Sequence, residues 1–90
     1  MLKVKLKVFN QLGLHARAAA QLVCLAGNFQ SNIELKRTDN AAVADAKSIL
    51  SVLTLAATKG TELDLQVEGT DEKLASQAIE EIFLDGFGEL

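Results

Sequence analysis

The segment Leu2-Lys3-Val4-Lys5-Leu6-Lys7-Val8 alternates apolar with basic side chains, and far down the chain Glu62-Leu63-Asp64-Leu65-Gln66-Val67-Glu68 alternates apolar with mostly acidic ones. A period of two marks a strand with one buried and one wet face. The wet face of the first strand is Lys3, Lys5 and Lys7; that of the second is Glu62, Asp64 and Glu68. Opposite charges directly across neighbouring strands are mildly favourable, so these two are expected to lie side by side. A right-handed strand–helix–strand crossover leaves room for a strand between its ends. The acidic strand fills that gap, and this placement decides the fold.

Between the two strands the pattern changes repeatedly. Asn10-Gln11-Leu12-Gly13-Leu14 carries turn residues and a glycine free to take positive φ. From Ala16 to Ala26 the residues are helix formers, with Ala19, Leu22, Val23 and Ala26 on one stripe and Gly27 just past the end. Ile33-Glu34-Leu35-Lys36-Arg37 reads as the second strand, Thr38-Asp39-Asn40 as a turn, and Ala41-Ala42-Val43 as a short third strand. Ile49, Val52, Leu53 and Ala56 outline a short helix, closed by Gly60. After the acidic strand, Gly69-Thr70-Asp71-Glu72 supplies an N-cap and first-turn acids. The last helix is expected to bury Leu74, Ala75, Ala78, Ile79, Ile82 and Phe83 and to end near Asp85-Gly86, leaving Phe87-Gly88-Glu89-Leu90 as an exposed, frayed tail. The order is β-α-β-β-α-β-α. The expected architecture is an α+β open-faced β-sandwich: a four-stranded antiparallel sheet covered on one face by three helices, its other face in water.

Ninety residues are enough for one such domain, spanning 1–90, and too few for a nucleotide-binding domain plus a substrate domain. The net charge of −3 argues against non-specific nucleic-acid binding, which needs a positive field. The single cysteine, Cys24, excludes an internal disulfide and a multi-cysteine zinc site, and no redox role is assigned to it. No apolar run approaches the roughly 20 residues that insertion across a bilayer takes, and the lysine-interrupted start does not read as a signal peptide. The cytoplasm is the simplest compartment.

The chemistry gathers at His15, the only histidine, between the glycine turn and the first helix. A helix N-terminus presents unpaired N–H groups and partial positive charge, and so attracts anions. Arg17 adds a fork suited to phosphate oxygens. A neutral imidazole, with a reference pKa of about 6.5, is a nucleophile at neutral pH. There is no metal cluster, no partner serine or cysteine in the motif and no nucleotide cradle. A domain built this way can hold a phosphoryl group and pass it on, with partner proteins completing the site.

Asn10, Gly13, Leu14, His15, Ala16 and Arg17, followed by an alanine-rich helix, resemble the active-site signature of the HPr phosphocarriers of the bacterial phosphotransferase system. Lys47-Ser48-Ile49-Leu50 is similar to that family's second signature, and Ala57-Thr58-Lys59-Gly60 fits too; the likeness runs the length of the chain. The ending Phe83-Leu84-Asp85-Gly86-Phe87-Gly88 is more similar to the nitrogen-related branch than to the sugar-uptake branch. The resemblance implies that enzyme I, charged by phosphoenolpyruvate, phosphorylates Nδ1 of His15, which hands the group to an EIIA-type acceptor. Arg17 and the backbone amides of Ala16 and Ala18 would hold the phosphoryl oxygens. The protein would be a stoichiometric carrier and no enzyme, without metal or organic cofactor, and a monomer.

One residue departs from the family pattern: Ala18 stands where proline is usual. Proline pre-sets helical φ and lacks an N–H, so alanine loosens the turn and restores a donor. His15 is expected to stay competent with altered rates. Ser48 has two readings: a helix N-cap, or, by resemblance, the target of an HPr kinase/phosphorylase whose product blocks docking to enzyme I. Ile49 and Val52 suffice for a core stripe, so the additional Leu50 and Leu53 suggest a contact patch, with burial of both as the alternative. By family likeness Leu50 and Leu53, with Lys47 and with Ala20, Gln21 and Cys24 of the first helix, would frame His15. Competing readings are a regulatory paralogue that binds a transcription factor or kinase, a ligand-sensing domain that binds an effector anion non-covalently, and an acylphosphatase-like hydrolase. The last lacks a residue placed to activate water.

Overall fold

The two charged strands do find each other. Leu2–Lys7 (β1) lies antiparallel to Glu62–Glu68, with Lys5 opposite Asp64 and Lys7 opposite Glu62. Lys5 Nζ stands 3.7 Å from Asp64 Oδ1 on the wet face. An exposed pair of that kind contributes about 0–1 kcal/mol. Burial is larger: Ile33, Leu35, Leu63, Leu65 and Val67 are essentially sealed from water, each worth about 1.5–3 kcal/mol. Charge selects the neighbour, and the apolar face supplies the stability.

The computed structural model describes residues 1–90. After β1 come α1 (Ala16–Ala26), β2 (Asn32–Arg37), β3 (Val43–Asp45), α2 (Ile49–Thr54), β4 (Glu62–Glu68) and α3 (Glu72–Leu84), then a 3-10 turn at Gly86–Gly88. The sheet order is β1-β4-β2-β3, antiparallel throughout, so β4 fills the gap left by the β1–α1–β2 crossover as expected. The helices lie against one face, and the fold is the α+β open-faced sandwich.

Outside α2, four local expectations need correction. The third strand occupies Val43–Asp45, two residues later than its sequence suggests, because Ala41 takes φ +61° and the Asn40 side chain accepts the Ala42 N–H at 3.0 Å. The turn consumes both alanines, and Ala44 becomes the buried residue. In α3, Leu74 faces water; the buried stripe is Ala75, Ile79 and Phe83 with Ser76, a four-residue spacing that leaves Leu74 on the other side. Asp71 is at the N-cap position but makes no capping bond. Its carboxylate instead accepts the N–H groups of Gln30 (2.9 Å) and Ser31 (3.0 Å) and the Ser31 hydroxyl, which holds it below the usual carboxylate pKa range.

The fourth correction concerns the tail. It is packed, not frayed: Phe87 is buried and sits edge-on to Phe83, with ring centroids 5.0 Å apart. Gly86, Phe87 and Gly88 all have positive φ, which turns the chain back over the core after α3 ends. Such backbone is costly for a phenylalanine, and burial of its ring offsets the cost.

Candidate functional site

The loop before α1 is fastened to the segment before β4. Leu14 N–H donates to the carbonyl of Ala57 at 2.9 Å. Gly13 has φ +66°, and a Cβ there would run into that same carbonyl and come within 2.9 Å of Thr58 Cα. Only glycine fits this close approach. The crossing fixes where the next residue, His15, stands.

His15 is the N-cap of α1, with extended backbone (φ −72°, ψ 177°). Its carbonyl takes the Ala19 N–H at 2.8 Å. Its ring Nδ1 accepts the Arg17 N–H at 3.3 Å, a long bond. An N–H can only donate, so in the neutral ring Nδ1 bears the lone pair and the proton sits on Nε2. The amides of Ala16 and Ala18 have no backbone acceptor, the usual condition of first-turn amides, and the start of a helix carries a partial positive charge. The Ala18 methyl is fully buried, so the position tolerates a non-proline by packing it into the core.

The other side of the ring holds the residue that sequence reasoning missed. His15 Nε2 lies 2.6 Å from Glu89 Oε2, and Arg17 Nη2 reaches the same oxygen at 3.5 Å. Asn10, completely buried, donates through Nδ2 to Glu89 Oε1 at 3.0 Å and to the Gly13 carbonyl at 2.8 Å. These bonds, that of Asn10 foremost and that of His15 next, hold the Glu89 carboxyl below its ordinary pKa. The ring remains 24% exposed, enough for a partner to reach it, while Arg17 at 69% is free to swing. A signal for Glu89 existed in the sequence: a phenylalanine between two glycines, four residues after Phe83, is a tail with a prescribed path.

The remaining candidate residues fall in two groups. Ala20 and Gln21 are half-buried and Cys24 exposed along α1, which packs against α2. On α2, Leu50 is 74% and Leu53 37% exposed, and Ile49, expected in the core, is 39% exposed. Val52 and Leu55 fill the core in its place, because so short a helix offers only one turn to it. The apolar patch is therefore Ile49, Leu50 and Leu53. Ser48 caps α2, its hydroxyl accepting the Ser51 N–H at 3.3 Å. Lys47 donates to the Phe29 carbonyl at 2.7 Å, spanning to the α1–β2 connection. No group of three His, Cys, Asp or Glu side chains is arranged to hold a metal ion, and no helix is long and apolar enough to cross a membrane.

Comparison with known proteins identifies the family. Residues 2–85 match the profile of the PTS-HPr family, described as the PTS HPr component phosphorylation site. The chain is 45% identical over 89 residues to the phosphocarrier protein HPr of Xylella fastidiosa, covering 99% of this chain and 98% of that protein. It is 44% identical, with the same coverage, to HPr of Cupriavidus necator. Among solved structures, HPr of Thermoanaerobacter tengcongensis superposes with a TM-score of 0.92 at 34% identity, covering 100% of this chain and 99% of that one.

Proposed function

This chain belongs to the PTS-HPr family of phosphocarriers, and from that premise we propose that His15 accepts a phosphoryl group from enzyme I and delivers it to an EIIA-type acceptor. The observation that carries the reading is the Nδ1 lone pair of His15, aimed at the amide-lined start of α1. Nδ1 attacks phosphorus as the bond from phosphorus to the donor breaks. The ring keeps its Nε2 proton and becomes positively charged. The Arg17 N–H, only loosely bonded to Nδ1, turns to a phosphoryl oxygen alongside the amides of Ala16 and Ala18, and the Arg17 guanidinium closes on the others. The onward step runs the same sequence in reverse, with the acceptor's nucleophile as attacker.

Leu50 and Leu53 form the centre of the docking surface, with Ala20, Gln21, Cys24 and Lys47 at its border. A dianion on Ser48, placed by an HPr kinase/phosphorylase, would strengthen the α2 cap and put charge inside that surface. The carrier works in the cytoplasm as a monomer, stoichiometrically and without a cofactor of its own.

The test is covalent. Incubated with enzyme I and phosphoenolpyruvate, the protein should gain one phosphoryl group that is labile to acid, and His15→Ala should gain none. A wild-type protein that stays unmodified, or a His15→Ala protein that is still phosphorylated, rules the proposal out.

A further inference from the structure

Glu89 is five residues past the end of α3 and distant in sequence from everything it touches, yet its two carboxylate oxygens take bonds from Asn10, His15 and Arg17. Asn10 gives a second indication. It is sealed from solvent, both its N–H bonds are spent on Gly13 O and Glu89 Oε1, and its own Oδ1 has no partner. A buried acceptor left unpaired is unfavourable, and a role in a reacting site is one of the reasons a protein keeps one. The asparagine is committed to holding a carboxylate in place, and that carboxylate faces the imidazole.

We propose that Glu89 is a positioning residue for phosphoryl transfer: held by Asn10, it keeps the proton of His15 on Nε2 and stabilises the positive ring that forms when Nδ1 takes the phosphoryl group. The inference rests on the carrier role proposed above. Its physics is that of a carboxylate behind a reacting histidine, which fixes the tautomer and ring orientation and favours the charged ring. No proton leaves Nδ1, because Nδ1 carries none, and none passes to Glu89, whose own carboxyl is held in its ionised form. The charged groups facing the ring are Glu89 itself and Arg17, the latter bridged to the same oxygen. Arg17 therefore has two anions to serve, and its turn toward phosphorus leaves Glu89 with Asn10 and the ring.

The experiment follows the ring of nitrogen-15-labelled protein by NMR, before and after phosphorylation by enzyme I and phosphoenolpyruvate, in wild type, Glu89→Gln and Glu89→Ala. The glutamine keeps an acceptor for Nε2–H and removes only the charge. Its phosphorylated ring should lose the Nε2 proton at a pH lower by about one unit, and transfer from enzyme I should slow about tenfold. Glu89→Ala should match or exceed both effects. An unchanged titration midpoint and unchanged transfer rate in folded Glu89→Gln would overturn the role of Glu89 while leaving the carrier function intact. A wild type that is never phosphorylated would instead remove the carrier function itself.

Discussion

Two carboxylates, one at each end of α3, do comparable work with different consequences. Asp71, at the N-terminal end, accepts three hydrogen bonds from Gln30 and Ser31 and ties α3 to the start of β2. Glu89, beyond the C-terminal end, accepts bonds from Asn10, His15 and Arg17 and ties the tail to the start of α1. The partners of Asp71 are two amides and a hydroxyl, groups whose charge is fixed near neutral pH. The partners of Glu89 include the imidazole proposed to take up the phosphoryl group and a guanidinium that is mostly in solvent. Geometrically similar staples therefore differ in kind: one joins two elements of the fold, the other is attached to the residues proposed to carry the phosphoryl group.

Removing the anchor of the second staple should break the comparison most sharply. Phe87→Ala deletes a buried ring that packs on Phe83 and is expected to cost about 3–5 kcal/mol by chemical denaturation. Because that ring holds the tail over the core, the surviving folded protein should also transfer phosphoryl groups as slowly as Glu89→Ala. Normal transfer would show that Glu89 reaches His15 without its anchor.

A smaller loss is expected from Asp71→Asn, seen as a lower midpoint of thermal unfolding with phosphoryl acceptance unchanged. The pH dependence follows from the lowered pKa of Asp71. A depressed carboxyl contributes stability that is fully present above its unfolded-state pKa and disappears as pH falls through the folded value. Wild type should lose stability on acidification below about pH 4, and Asp71→Asn should lose less over that range. An identical acid profile would mean that the Ser31 and Gln30 bonds do not favour the ionised form.

The smallest effect on folding belongs to Leu50→Asp, on the exposed patch beside neither staple. Stability should stay within about 0.5 kcal/mol of wild type. Binding to enzyme I, measured by titration calorimetry, should weaken about tenfold or more if the patch is the docking surface. Unfolding of this variant would place Leu50 in the core after all.

Much of the fold is legible without coordinates because its signals are local and repeated. The alternation in Leu2–Val8 and Glu62–Glu68, together with their opposite charges, identifies both strands and their adjacency, and the register pairs Lys5 with Asp64. Gly13, with the helix formers after it, places His15 at an N-cap. What failed were features whose cause lies elsewhere in space. Ala41 and Ala42 stay outside β3, which begins only at Val43, because Asn40 closes a turn around them. Asp71 has the composition of a cap, yet a serine from another connection claims its carboxylate. Ile49 has the hydrophobicity of a core residue, but α2 is too short to turn it inward.

The amino-acid order alone determined the first, second and fourth strands, most of the α1 stripe and the imidazole at a helix start, since each depends on neighbours within about one or two turns of chain. The partner of that imidazole was decided only in three dimensions. Glu89 and His15 meet because α3 packs on the sheet, Phe87 finds a place on Phe83 and the glycines beside it bend the tail home. A contact of that kind is the closing of a long loop: the Gly-Phe-Gly pattern announces a bent tail, but not which residue the tail meets.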